Sequence, residues 1–219
     1  MPGNTAKIIK LDSYRNRSSR GFGKKDVEES VFGRGLSDET MRTLSKRFSN
    51  PISELDYRNR AIFLLMSRSG LRAAEIVSLC FSNLLNSPKS ETLVKYRKKG
   101  GKLAYSVLSE DTLKSIREYH SKFGISSDYF LLSRPKRHQS IRSPLSKRGL
   151  QLIVSSWNVK TLEGRNIFCH AIRHTAGRRM LEYAGSIATQ KLLGHASANT
   201  SSKFYSPRFF DGNKFLTWD

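Results

Sequence analysis

The sequence is short of cysteine, of acidic residues and of long apolar runs, and each shortage closes off a class of protein. Two cysteines in 219 residues, Cys80 and Cys169, build no disulfide framework, and without a CxxC spacing they build no metal knuckle. The chain therefore reads as intracellular and cytoplasmic. Cys169 stands directly before His170, and His170 and His174 share the i, i+4 spacing of a helical zinc pair. The glutamate of HExxH is missing, however, and Arg173 between them is a poor companion for a cation. No metal and no other cofactor are expected. No stretch approaches the roughly 18 apolar residues of a spanning helix, and no amphipathic anchor stands out, so no membrane is expected as a partner. No hydrophobic signal core follows the first lysines, so no export is indicated.

The shortage of acid is the informative one. Only 18 acidic residues face 39 lysines and arginines, a formal charge of +21. That excess goes far beyond what solubility needs and calls for a polyanion, with nucleic acid the default partner. An RNA-binding basic protein fits the charge equally well and explains nothing else.

Met1 to about Gly35 is rich in Arg, Lys, Ser, Asn and Gly without apolar periodicity, which predicts a disordered basic arm at 1–35. Order is expected from Leu36, with Ser37, Asp38 and Glu39 opening a helix that Pro51 ends. A second helix, from about Glu54 to Ser69, carries Ile62, Leu64, Leu65 and Met66 inward and stops at Gly70. The next opens at Arg72 and runs to about Leu79. Glu91–Leu108 reads as a β-hairpin turning at Lys98-Lys99-Gly100-Gly101-Lys102.

Ser109 then caps a helix that stops by Gly124, and Asp128–Leu132 reads as extended core. The loop from Arg134 to Lys147 holds Arg134, Lys136, Arg137, Arg142 and Lys147 among serines and prolines, and phosphate contact is its expected role. Ser146 opens a helix with Leu150, Leu152, Ile153, Val154 and Trp157 as core. A longer helix follows from His170 to about Ala184, and a short one runs from Ser186 to Leu193-Gly194. The whole is a mainly α chain with one small antiparallel β-sheet, an α+β fold.

The chemistry concentrates between His170 and Tyr205. A guanidinium grips phosphate, an imidazole passes protons, and a phenol is a potential nucleophile. On a helix His170, Arg173 and His174 share one face. Alone, HxxR is a common surface pattern. Here it stands in the order His170-Ala171-Ile172-Arg173-His174, then Leu193-Gly194-His195, then Tyr205, with Gly70-Leu71-Arg72-Ala73-Ala74-Glu75 far upstream.

That joint pattern resembles the tyrosine recombinase (phage integrase) family, over roughly residues 36–206. The resemblance implies one catalytic set of Arg72, Lys99, His170, Arg173, His195 and Tyr205, supported by Glu75 and His174. In it the arginines grip the scissile phosphate and Tyr205 attacks it to leave a 3′-phosphotyrosyl bond. His170 is the base, His195 a further donor, and Lys99 protonates the leaving oxygen, with Lys98 and Lys102 as alternatives for that role. Lys98, Lys102 and the loop cations would line the double-stranded DNA that the resemblance implies as partner.

The implied activity is site-specific DNA recombination without metal or ATP. A type IB topoisomerase-like strand transferase and a non-catalytic DNA-binding protein of the same fold are the alternatives. The run from Gly185 to His195 is about two residues shorter than is usual in the family, and His195 to Tyr205 about one longer. The 35 or so residues ahead of the matched region are too few for the family's N-terminal clamp domain, so either the basic arm serves as a minimal clamp or an accessory protein supplies that grip. The tail 207–219, with three Phe, one Leu and one Trp, is expected to dock on a neighbouring protomer. The chain would then be a monomer when free and a tetramer on DNA.

Overall fold

The computed structural model describes residues 33–98, 100–135 and 141–194. Residues 1–32 of the arm, Lys99, Lys136, Arg137, His195, Tyr205 and the tail therefore lie outside the described residues. The elements in chain order are α1 (Asp38–Arg47), α2 (Glu54–Ser69), α3 (Ala73–Ile76), β1 (Leu84–Asn86), β2 (Thr92–Arg97), β3 (Leu103–Val107), α4 (Glu110–Lys122), α5 (Lys147–Ser155) and α6 (Cys169–Leu193).

The helix starts follow from capping chemistry. Ser37, Ser53, Ser109 and Ser146 each turn a hydroxyl back onto an otherwise orphaned N–H of the first turn. At Ser53 the bond is reciprocal, with Asp56 reaching back to the Ser53 N–H at 2.9 Å. α2 ends as expected at Gly70, whose φ of 61° is the left-handed cap that a side chain resists. α6 spans both expected helices, and its backbone breaks at Gly185 (φ 76°, ψ −179°), between Ala184 and Ser186.

α2 is the axis of the core. Ala61, Ile62, Phe63, Leu65 and Met66 are all buried, and both α4 and α6 pack along it. Phe48 and Phe63 close around Trp157, with Phe48 4.9 Å from it centroid to centroid and tilted. The sheet has the order β1-β2-β3, all antiparallel, and buries Val94, Tyr96 and Ala104 against the helices.

Three expectations are corrected. The helix expected from Arg72 to Leu79 is a single turn with Arg72 as its cap, because Val77 closes the turn and Leu79 continues outside it. β1 was not foreseen: three residues show too little alternation to announce a strand, and pairing with β2 makes it one. Leu152 was expected in the core and is instead 56 % exposed, because the face of α5 that carries it looks into the cleft described below. The described body also reaches back to Gly33. Gly33 and Gly35 carbonyls accept the N–H groups of Glu163 and Leu162, and the Leu36 N–H donates to Thr175 Oγ1 at 2.7 Å.

Candidate active-site cleft

The C-terminal ends of α2 and α6 meet at one point, and a cleft of about 880 Å³ opens beside it. Its walls come from the Leu71–Glu75 turn, the end of β2, one face of α5 and the start of α6. Arg72, Arg97, Lys98, Lys147, Arg148 and Arg173 line it, with Glu75 the one acid among the lining residues. Such a concentration of one sign raises the local concentration of an anion and holds it.

Gly70 is what delivers Arg72. Its left-handed cap stops α2 and swings the chain so that Arg72 begins α3 at the cleft edge. Glu75, buried at 4 % exposure, then holds Arg72 twice, accepting from its backbone N–H at 2.7 Å and from Nη1 at 3.1 Å. A buried carboxylate fixing a half-exposed guanidinium removes rotamer freedom before any ligand arrives.

Arg173 is buried on the first half of α6. It donates from Nη1 to the Gly70 carbonyl at 2.5 Å and from Nη2 to the Leu193 carbonyl at 2.8 Å. Those carbonyls lie at the buried C-terminal poles of two helices, and one guanidinium joins both. The contact is so close that a Cβ on Gly70 would lie 2.8 Å from Leu193 Cδ2. Two arginines more than a hundred residues apart in sequence are thereby brought to one place.

His170 opens onto the same cleft one turn before Arg173. Its surface is open to the cleft, but the cleft walls strip water from one side of the ring, and this together with the charges of Arg173, Arg72 and Arg34 holds its pKa below the usual 6.5. It is therefore neutral at neutral pH and able to accept a proton. His174 is buried and meets His170 edge to face, centroids 4.5 Å apart, which fixes the imidazole plane from behind. Cys169, beside it, is an inert thiol, pushed up to about 11 by burial. Among the described residues no group of three or more His, Cys, Asp or Glu is placed to hold a metal ion.

The predicted DNA contacts divide. Lys98 and Lys147 line the cleft, whereas Lys102 is exposed on the far side of the hairpin turn and Arg134 lies outside the lining. Arg142 is elsewhere altogether, in a bidentate pair with Glu54 at 2.5 and 3.1 Å. Sequence reading missed Arg34, Arg97, Arg148 and Gln151. For α5 the signal was present: residues 147, 151 and 155 lie four apart and so share one helical face, and that face is polar. Tyr96 was missed too. It is buried, and its pKa is raised by burial and Glu75 against the opposing pull of Arg173 and Arg72.

The fold has been seen before. The chain overlays the crystal structure of XerA recombinase with a TM-score of 0.61 at 21 % identity, covering 79 % of this chain and 60 % of that one. A lambda integrase tetramer bound to a Holliday junction matches with a TM-score of 0.55 at 16 % identity, over 81 % of this chain and 50 % of the other. Identities this low speak for the fold alone. In sequence, tyrosine recombinase XerC of Chromobacterium violaceum is 32 % identical over 152 residues, 68 % of this chain and 48 % of the relative. XerC of Leptospira interrogans is 28 % identical over 174 residues, 77 % and 53 % respectively. The chain thus spans about half the length of the curated relatives it matches. The phage integrase family model covers residues 35–209, from just before α1 to just past Tyr205, and the chain belongs to that family.

Proposed function

We propose that the chain is the strand-transferring part of a site-specific DNA recombinase, acting through a 3′-phosphotyrosyl intermediate. The observation that carries this reading is the convergence of Arg72, Arg173 and a neutral His170 in one basic cleft. Two guanidiniums on the non-bridging oxygens of the scissile phosphate offset its charge and gain strength as the pentacoordinate transition state forms. Tyr205 attacks phosphorus while His170 takes the phenol proton. The 5′-oxygen leaves with a proton from Lys99, and His195 donates to a phosphate oxygen. The phosphotyrosyl bond keeps the energy of the bond it replaces, so the reverse attack by a 5′-hydroxyl reseals the strand without ATP.

Glu75 and His174 act behind this set, one orienting Arg72 and the other His170. Lys98, Lys147 and the cations of the cleft rim meet the flanking phosphates, and the basic arm follows the duplex outward. The matched region is only about half of its curated relatives, and in this reading a further domain or partner supplies the rest of the grip. The tetramer in which lambda integrase is bound to a Holliday junction is the model for assembly on DNA, with the apolar tail of one protomer docking on the next.

The test is incubation with duplex DNA carrying a site that this chain binds, followed by a search for a covalent protein–DNA adduct. Tyr205→Phe should abolish the adduct and leave DNA affinity within a few-fold, because the lost oxygen is nucleophile and not grip. An adduct of undiminished yield would move the assignment to another phenol. Tyr183 is a poor one: it is 78 % exposed under the Arg179 guanidinium and is not among the residues lining the cleft.

A further inference from the structure

The β2–β3 turn carries a lysine that the reaction just described uses only as a phosphate contact. Lysines at hairpin tips ordinarily extend into water, as Lys102 does here, but Lys98 is half-buried. Its side chain lies on Gly194: a Cβ at that position would fall 2.7 Å from Lys98 Nζ and 2.8 Å from Cε. Any side chain there would push the lysine's flexible end off the glycine. Gly194 is also the left-handed cap of α6 (φ 61°), its N–H closing back to the Gln190 carbonyl. The carbonyl end of a helix carries about half a negative charge, and this one receives two cations, Arg173 on the Leu193 carbonyl and the Lys98 ammonium against Gly194. The next residue in the chain is His195.

We propose that Lys98 is a positioning residue for strand transfer. Its ammonium docks on the C-terminal pole of α6 and locks the hairpin turn to the residue that precedes His195, so that turn and histidine meet the phosphate as one unit. The inference rests on the strand-transfer reading of the cleft and separates the roles of adjacent lysines: Lys98 sets geometry, and Lys99 gives the proton.

Chemistry tells the two apart. An alkoxide leaving group needs a proton, whereas a thiolate, whose conjugate acid has a pKa of about 8.5, leaves without one. Single-turnover cleavage is therefore measured on a duplex with the natural 5′-bridging oxygen and on one with sulfur in its place. Lys98→Met should slow both substrates by about three- to tenfold, the scale of losing a cation at a helix C-terminus. Lys98→Arg should recover most of that loss, and Lys99→Met should slow only the oxygen substrate. Restoration of Lys98→Met by sulfur would make Lys98 the acid, and an unchanged rate on both would remove it from the reaction; either overturns the proposal. Amide hydrogen exchange at Gly194 and His195 provides a readout independent of cleavage. It should quicken in Lys98→Met while the first turns of α6 stay protected. If the wild-type chain cleaves neither duplex, the strand-transfer reading fails, and unchanged exchange would then overturn the docking itself.

Discussion

The two ends of α2, about 24 Å apart, each hold an arginine against a glutamate, and the two pairs do opposite things. At the C-terminal end Glu75 reaches only three residues back, spending one oxygen on the Arg72 backbone and one on Nη1. The rest of the guanidinium faces the cleft, with the side chain 37 % exposed. At the N-terminal end Glu54 takes Arg142 from 88 residues away with both oxygens, the two side chains only 22 % and 17 % exposed. That pair engages both terminal nitrogens of the guanidinium and stitches the loop before α5 to the helix. Identical side chains serve as grip at one end and as seam at the other. What decides is whether the carboxylate leaves donors unspent.

The sharpest way to break this contrast is to remove each arginine. Arg72→Ala and Arg173→Ala should each lower single-turnover cleavage by about 10² or more, the scale of losing one charge-stabilising donor. Lysine should rescue either poorly, since an ammonium lacks the fork. Arg142→Ala should leave the cleavage rate near wild type and instead lower unfolding free energy by about 1–3 kcal/mol, as Glu54 loses its partner in a half-enclosed site. An Arg142 variant that is stable but slow would erase the distinction.

The glutamates should separate in the same manner with smaller effects. Glu75→Gln keeps an acceptor for the Arg72 N–H but loses the charge that orients the guanidinium, and cleavage should fall about tenfold with DNA affinity little changed. Glu54→Gln should move only the melting temperature. Paired denaturation and single-turnover measurements on both variants check this. A melting shift for Glu75→Gln matching that of Glu54→Gln, with cleavage intact, would make Glu75 a seam as well.

The seam was illegible in the sequence for a physical reason. Arg142 sits in a loop of arginines, lysines and serines, and nothing local distinguishes a cation that meets phosphate from one that meets a glutamate 88 positions upstream. The helices were legible because their signals are local: a serine before the starts of α1, α2, α4 and α5, Gly70 past the end of α2, apolar residues at helical spacing. Leu152 shows the limit of that spacing. It fits the apolar stripe of α5, yet the stripe on this nine-residue helix borders a cleft, and only tertiary packing says which edge stays open. The cleft set Arg72, His170 and Arg173 was legible through motif order, although the order says nothing of the two carbonyls that hold Arg173. Arg34 gave no signal at all, because its charge reaches His170 only through the Gly33–Gly35 strap, which hydrogen-bonds to a loop about 130 residues away.

Arg34 supplies the smallest effect and the finest test of the comparison. Three arginines push the His170 pKa down in addition to burial, in the order Arg173, Arg72, Arg34. Positive neighbours disfavour the imidazolium, so cleavage should show an acid limb below pH 6.5, where His170 takes up a proton and ceases to be a base. Arg34→Ala removes one of those charges. The pKa of His170 then rises towards its ordinary value, and the acid limb moves to higher pH while the plateau rate near pH 8 is nearly unchanged. Arg142 is not among the charges that act on His170, so Arg142→Ala should leave the limb where it was. The pH dependence of single-turnover cleavage in the two variants decides the matter. A limb shifted equally by both would mean that general positive charge, and not the strap beside the cleft, sets the base, whereas a downward shift in Arg34→Ala would show that Arg34 had been favouring the charged ring.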